Sequence, residues 1–249
     1  MQAIVQGLAT TYERTGTGRQ ILILHGWADD SRSWRAFAHE LSKSYEVVVP
    51  DLPGFGGTEA PHEVWGLSEY ADFVSDFIRK TGLKPYAVIG HSNGGAIAIK
   101  SIARGLLAPG KLVLLASAGI RTEARGRKQL LKVVAKTGKA ATLPLPVSTR
   151  EKLRRKLYKA SGSDMLIAEH LQETFKQVVS EDVRNDASRV AMPTFLLYGK
   201  QDTSTPPRYG ALLVERMQHA RLETLPAAGH FIQLDAPGAV VQKVEEFLK

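Results

Sequence analysis

The sequence predicts an α/β fold with a doubly wound, mostly parallel sheet and an inserted helical lid. Three observations predict it. Short apolar, β-branched runs alternate with segments of helical period, the runs are nearly continuous, and the alternation stops at about residue 119 and resumes after residue 187. Continuous apolar runs suit parallel strands buried on both faces. Alternation of strand with helix implies right-handed crossovers that return to one sheet.

The predicted elements follow from these patterns in chain order. Residues 3–14 are predicted to form antiparallel edge strands. The apolar runs predict buried strands at residues 21–24, 47–49, 86–89, 112–115, 194–197 and 222–225. The helical period predicts helices at residues 33–43, 68–81, 96–104, 208–219 and 237–248. A proline near the first turn of the last helix fits the preference of proline for that position.

The interruption of the pattern divides the chain into a core and a lid. We expect residues 1–118 and 188–249 to form the core, and residues 119–187 to form a helical cap inserted into it. Pro144, Pro146 and the Ser-Gly-Ser turn signal at 161–163 break the inserted segment into helical stretches. Ligands of open α/β sheets bind at the carboxyl ends of the strands, so the insertion is predicted to cover that edge.

The positive charge of the chain lies in this insertion. Between Arg121 and Lys159 there are 13 basic and 2 acidic residues, although the whole chain has a net charge of +8. The segment is either a solvated pair of basic helices or a docking surface for an acidic partner. Tyr158 is the one aromatic residue of that stretch. Nucleic acid is therefore not predicted as a partner, because few rings are available to stack on bases.

Composition sets further bounds. With 249 residues, of which 43% are hydrophobic, the chain can build one large core. It has no cysteine, which excludes disulfides, thiolate metal sites and a cysteine nucleophile. No apolar run is long enough to span a bilayer, and residues 1–15 lack a secretory pattern, so a cytoplasmic protein without a transmembrane segment is expected.

The strongest local motif is Gly90-His91-Ser92-Asn93-Gly94, which stands between a predicted strand and a predicted helix. A nucleophile on such a turn is held in a strained conformation, and the positions two residues before and after it must be small. Gly90 and Gly94 meet that demand. Ser92 is therefore the candidate nucleophile, and the N–H of Asn93, at the helix N-terminus, is a candidate oxyanion donor.

Serine needs a base and an acid that orients the base. Asp202 follows the predicted strand 194–197, and His230 lies 28 residues later, a gap that holds one helix and one strand. Each residue alone has an ordinary explanation, as a turn or packing residue. Their order after Ser92 and their place at one sheet edge predict a catalytic triad of Ser92, Asp202 and His230.

The second oxyanion donor is predicted in the loop after the strand at 21–24. The N–H of Trp27 is the candidate, and Gly26 lets the chain turn over the site. The ring of Trp27 could also pack in the pocket, so the two roles are compatible. Gly26, Trp27 and Phe231 are the predicted substrate-binding residues.

Taken together, these motifs resemble the lid-bearing serine esterases of the α/β-hydrolase superfamily. The resemblance spans nearly the whole chain and rests on five motifs in family order, at residues 25–27, 51–57, 90–95, 199–202 and 229–230. It implies the triad and the two donors named above, and it gives the loop that begins at Asp51 a structural role. Asn93 departs from the methionine or leucine that is more frequent after the nucleophile.

The resemblance implies hydrolysis of a small-molecule carboxylic ester through an acyl-enzyme. Family members that open epoxides or displace halide use a carboxylate in place of Ser92, which argues against both reactions. The Trp27 loop and the basic lid are also similar to esterases that cleave a methyl ester on an acidic acyl carrier protein. A thioester hydrolase, a carbon–carbon bond hydrolase and a silent ligand receptor remain alternatives. The seven histidines show no metal-ligand spacing, and no cofactor is predicted.

Overall fold

The computed structural model describes residues 1–121 and 169–249. Eight strands form one sheet in the order β1-β2-β4-β3-β5-β6-β7-β8. Their bounds are β1 Gln2–Val5, β2 Leu8–Thr15, β3 Gln20–Leu24, β4 Glu46–Pro50, β5 Pro85–His91, β6 Lys111–Leu115, β7 Thr194–Gly199 and β8 Ala220–Leu225. The pairs β1–β2 and β2–β4 are antiparallel, and the other neighbours are parallel. The predicted doubly wound, mostly parallel sheet is therefore confirmed.

Helices of the described residues cover both faces of this sheet. They are α1 Arg35–Leu41, α2 Leu67–Thr81, α3 Asn93–Ala103, α4 Gln172–Ser180, α5 Arg184–Ala187, α6 Pro207–Val214, α7 Ile232–Asp235 and α8 Pro237–Leu248, with 3-10 turns at Ser31–Trp34 and Glu169–Leu171. The helix predicted at 208–219 ends earlier, at Val214, where N–H groups begin to bond to carbonyls three residues back. None of the described helices is long and apolar enough to cross a membrane.

Side-chain alternation explains why the strands read as continuous apolar runs. In β3, Leu22 and Leu24 pack into one hydrophobic cluster, with α2 and α3, while Ile21 and Ile23 pack into a second cluster, with α1 and α8. All four side chains are buried. A strand whose two faces are both covered has no solvent side, so it carries no polar alternation.

Most of the predicted cap lies outside the described residues, which resume at residue 169 after residue 121. The division into a core and a cap stays a prediction. Within the part that is described, α4 contacts the loops at the carboxyl edge of the sheet. Phe175 of α4 lies 5.1 Å from the ring of Trp27, and Thr174 accepts a hydrogen bond from the N–H of Trp65.

Candidate active site

Ser92 stands on a sharp turn between β5 and α3. Its backbone has φ +50° and ψ −116°, a conformation that side-chain-bearing residues rarely adopt. Hydrogen bonds hold the turn in place: the Ser92 N–H donates to the Leu115 carbonyl at 3.1 Å, and the Ser92 carbonyl accepts from Ala118 at 2.9 Å. Strain of this kind persists only when the surrounding structure enforces it, and it concentrates at functional sites.

Small residues let α3 approach the sheet closely at this turn. A Cβ on Gly90 would stand 2.6 Å from the Cα of Gly95, and a Cβ on Gly94 would collide with the main-chain oxygen of Leu24. The glycine requirement predicted for positions 90 and 94 thus has a steric cause. Gly95, the last residue of the motif at 90–95, has the same role against Ser117.

The structure brings Ser92, His230 and Asp202 together in one line of contacts. His230 follows β8, and its Nε2 lies 3.0 Å from Ser92 Oγ. Its Nδ1 lies 2.8 Å from Asp202 Oδ2, just after β7. Because a carboxylate only accepts, Nδ1 carries the proton and Nε2 is left to accept the proton of the serine hydroxyl.

The Asp202 carboxylate is buried and well supplied with donors. Its Oδ1 accepts hydrogen bonds from the N–H groups of Ser204 and Thr205, at 2.8 and 2.9 Å. Burial alone would raise the pKa of Asp202. The hydrogen bond and charge of His230, with those of Thr205, outweigh burial and hold that pKa below its ordinary value. The carboxylate therefore stays ionised beside the imidazole.

Thr205 is a site residue that sequence reasoning missed. Its buried hydroxyl lies 2.7 Å from Asp202 Oδ2, 2.8 Å from the Ala116 carbonyl and 3.1 Å from His230 Nδ1. The Thr205 hydroxyl thus contacts Ala116, which follows β6, and also contacts Asp202 and His230. The sequence signal for Thr205 is weak: it stands shortly after Asp202, where an aspartate side chain often accepts hydrogen bonds from the main chain that follows it.

Trp27 and Asn93 carry the two predicted oxyanion donors. In the part of the chain that the structure describes, neither main-chain N–H donates a hydrogen bond. Gly26 packs directly against the nucleophile, since a Cβ on Gly26 would lie 3.2 Å from Ser92 Cβ. The start of the loop therefore lies beside Ser92. The oxyanion roles of the Trp27 and Asn93 N–H groups stay a prediction.

His25 fixes the start of that loop. Its ring is fully buried, and its Nε2 accepts a hydrogen bond from the Leu52 N–H at 2.8 Å. The opposite nitrogen, Nδ1, lies 2.8 Å from the Gly26 carbonyl and therefore donates to it. Both nitrogens are satisfied in the neutral ring, and burial lowers the pKa of His25.

The remaining substrate-binding candidates differ in exposure. Trp27 is buried against Phe55 and Phe175, with ring centroids 4.9 and 5.1 Å away. Phe231 is 46% exposed and contacts the rings of His91 and His230 at 5.7 and 5.3 Å. Its substrate-binding role stays a prediction. Among the described residues, no group of three or more His, Asp or Glu side chains could hold a metal ion.

Comparison with known proteins places this geometry in a family. A family model described as "Alpha/beta hydrolase family" matches residues 21–243. Among curated relatives, a pimeloyl-[acyl-carrier protein] methyl ester esterase from Nitrosospira multiformis is 27% identical, with 95% of this chain and 97% of the relative covered. A monoacylglycerol lipase from Xenopus laevis is 24% identical over 96% of this chain and 78% of its own length.

Other relatives have a different printed activity. A 2-hydroxy-6-oxo-2,4-heptadienoate hydrolase from Pseudomonas putida is 22% identical, and the match covers 97% of this chain and 93% of that protein. Among solved structures, an esterase from Exiguobacterium antarcticum superposes with a TM-score of 0.79 at 20% identity, over 99% of this chain and 98% of the other. At that identity the likeness supports the shared fold.

Proposed function

Because the chain belongs to the alpha/beta hydrolase family, we propose that it is a serine hydrolase that cleaves a carboxylic ester through an acyl intermediate on Ser92. One observation carries the proposal. The imidazole of His230 lies between Ser92 Oγ at 3.0 Å and Asp202 Oδ2 at 2.8 Å, which is the geometry that nucleophilic catalysis by serine requires. Relatives whose printed names are esterase and lipase support the same class of substrate.

The first half of the reaction forms the acyl-enzyme. His230 Nε2 takes the proton of Ser92 as Oγ attacks the ester carbonyl, and the carbonyl oxygen becomes an oxyanion. The N–H groups of Trp27 and Asn93 donate to that oxyanion. When the tetrahedral intermediate collapses, the C–O bond to the alcohol breaks, and His230 gives its proton to the leaving alkoxide.

The second half returns the enzyme to its starting state. Water loses a proton to His230 Nε2 and attacks the acyl carbon, and the proton then passes to Ser92 Oγ as the acid leaves. Asp202 stays ionised in both halves and stabilises the imidazolium. The low pKa of Asp202, held down by its hydrogen bonds in spite of burial, supports that role.

We propose that the segment between β6 and β7 acts as the lid of this site. The contact of Phe175 with Trp27 supports this role, because α4 belongs to that segment and Trp27 belongs to the oxyanion loop. Removal of the Phe175 ring, in Phe175→Ala, is expected to change the preference of the enzyme for acyl length. A preference that matches wild type over esters of two to eight carbons would contradict the proposal.

Hydrolysis of p-nitrophenyl butanoate tests the proposed nucleophile and base. Ser92→Ala and His230→Ala are each expected to lose activity on the order of 10³-fold or more, because the triad acts as a unit. Ser101→Ala is the matched control: this buried serine donates to the Ile97 carbonyl and lies near the C-terminal end of α3, at the opposite end of that helix from Ser92. Undiminished turnover by Ser92→Ala would contradict the proposal.

A second candidate substrate is a methyl ester carried on an acidic acyl carrier protein. Two observations favour it. The relative at 27% identity is named a pimeloyl-[acyl-carrier protein] methyl ester esterase. The stretch from Arg121 to Lys159 carries 13 basic residues against 2 acidic ones, which suits an acidic partner. Attraction between a basic surface and an acidic partner raises the association rate and weakens as salt screens it.

Salt dependence separates the carrier-bound ester from a free one. The kcat/KM for the carrier-bound ester is expected to fall as ionic strength rises, while that for free methyl butanoate changes little. Charge reversal at Lys152, Arg154 and Arg155 should remove the salt dependence, and reversal of the exposed Lys80, in α2, should leave it in place. Equal salt dependence for the two esters would exclude docking through charge.

A further inference from the structure

Two buried N–H donors beside the proposed nucleophile have no acceptor. They are Nε1 of the Trp27 indole and Nδ2 of the Asn93 amide, and neither has a hydrogen-bond partner among the residues that the structure describes. Trp27 and Asn93 are 9% and 5% exposed, so both donors are withdrawn from bulk solvent. Buried donors in folded proteins are nearly always paired, which makes two orphans at one site unusual.

Both donors belong to residues that flank Ser92. Asn93 follows the nucleophile at the first turn of α3, and Trp27 follows Gly26, which packs against Ser92 Cβ. These are the same two residues whose main-chain N–H groups we assign to the oxyanion. Each residue therefore has a second N–H donor, in its side chain, besides the main-chain N–H assigned to the oxyanion.

The packing of α3 indicates which way the Asn93 side chain points. Gly94 and Gly95, the next two positions, face β3 and Ser117 of the sheet. Ala96 lies one turn after Asn93 on the same helix face, and its Cβ is 3.1 Å from where a Cβ on Gly119 would stand. Asn93 thus lies on the helix face that meets the segment after β6. Trp27 meets the same segment through its contact with Phe175.

We propose that Trp27 Nε1 and Asn93 Nδ2 bind a second oxygen of the substrate, beside the carbonyl that reacts. This inference rests on the proposed function and narrows its substrate to esters that carry a further acceptor close to the ester group. Both donors are neutral, so they fit an uncharged keto or hydroxyl oxygen, whereas a buried carboxylate needs a counter-charge. Binding of that oxygen removes the penalty of two unpaired donors.

Three methyl esters of equal chain length form the test set. Methyl butanoate has no second acceptor, while methyl 2-oxobutanoate and methyl 3-oxobutanoate replace one methylene by a carbonyl. The measured quantity is the ratio of kcat/KM for each keto ester to that for butanoate, divided by the ratio of their hydroxide-catalysed rates. This ratio cancels changes that affect all three esters equally.

Wild type is expected to favour at least one keto ester on the order of tenfold. Asn93→Leu, which keeps the side-chain shape, and Trp27→Phe, which keeps a ring, should each lower that preference about 3- to 10-fold, as expected for the loss of one hydrogen bond. A wild-type ratio near one, or ratios unchanged in the variants, would overturn the inference. Circular dichroism identifies a variant that does not fold. In that case the keto-ester preference of the other variant decides the test.

Binding to Ser92→Ala keeps this test separate from that of the proposed function. Ligand-observed NMR gives the Kd of each ester without turnover, first in Ser92→Ala and then with Asn93→Leu or Trp27→Phe added. A keto preference in Kd that the added substitutions remove supports the inference even where Ser92 proves not to be the nucleophile. Equal Kd values for the three esters would overturn it even where Ser92 is the nucleophile.

Discussion

His91 Nε2 lies 3.0 Å from the main-chain oxygen of His230. A carbonyl only accepts, so the Nε2 of His91 carries a proton and donates it. The two rings also stand close together, with centroids 5.0 Å apart. The residue before the proposed nucleophile therefore holds the backbone of the proposed base, which couples the turn after β5 to the loop after β8.

The buried His91 predicts a stability that depends on pH. Burial, and then the nearby charge of His230, lower the pKa of His91 to about 4, whereas a free imidazole has a pKa of about 6.5. Between these values the unfolded chain takes up a proton that the folded chain does not. The contribution of His91 is therefore complete above about pH 6.5 and is lost as the pH falls toward 4.

Urea unfolding at pH 5, 6 and 7 measures this effect. The free energy of unfolding should fall as the pH is lowered, by up to about 1.4 kcal/mol per pH unit for one imidazole. His91→Gln keeps an N–H donor but has no imidazole to titrate. The slope of the unfolding free energy against pH should therefore be smaller in this variant, by up to about 1.4 kcal/mol per pH unit. The test is the slope and not the level, because the substitution can destabilise the fold by itself. An unchanged slope would show that His91 is not the source.

The Thr205 hydroxyl is expected to support catalysis. It lies 2.7 Å from Asp202 Oδ2 and 3.1 Å from His230 Nδ1, so Thr205→Val leaves both groups with one partner fewer. We expect kcat/KM for p-nitrophenyl butanoate to fall roughly tenfold, which corresponds to about 1.4 kcal/mol. Thr205→Ser keeps the hydroxyl and should keep most of the activity. Equal rates for the valine and serine variants would contradict this role.

Gly199 is predicted to be intolerant of any side chain. A Cβ there would collide with the main-chain oxygens of Gly229 and Ala228, just before His230. Gly199→Ala should therefore destabilise the fold by about 1–3 kcal/mol and lower kcat, since the loop that carries the base must move. Thermal unfolding and ester hydrolysis measure the two effects.

Gly238→Ala is the control for that substitution. Nothing lies within 4 Å of a Cβ at this position in the first turn of α8, so the change is expected to be neutral or slightly stabilising. Alanine in place of glycine also restricts the unfolded chain, which by itself stabilises the fold. Similar losses in both variants would therefore contradict the collision at the loop as the cause.

Much of the sheet could be predicted because its physical cause is local in sequence. Continuous apolar runs such as 21–24 are buried on both faces, and the residues that shield them belong to the intervening helices. The last helix was predicted at 237–248 and is observed as Pro237–Leu248. The helix predicted at 208–219 is too long, because the apolar period continues into the turn after Val214, where the N–H groups of Arg216 and Met217 also bond to carbonyls three residues back.

The candidate site was predictable to the extent that each residue follows a strand end. Ser92 and Asp202 each follow the carboxyl end of a parallel strand. Because these strand ends lie at the same edge of the sheet, the two residues are expected to lie near each other. The role of Thr205 could not be derived that way, since its contacts depend on where the Ala116 carbonyl stands across the sheet. The hydrogen bond from His91 to the His230 carbonyl joins residues that are 139 positions apart, so no local sequence pattern predicts it.

Covalent trapping tests the nucleophile most directly. An alkyl p-nitrophenyl phosphonate loses p-nitrophenol when a serine attacks its phosphorus, and mass spectrometry of the digested protein locates the adduct. We expect one phosphonyl group per chain, on the peptide that contains Ser92, with slower labelling in His230→Ala and none in Ser92→Ala. An adduct on another residue, or labelling that survives Ser92→Ala at the wild-type rate, would contradict the mechanism.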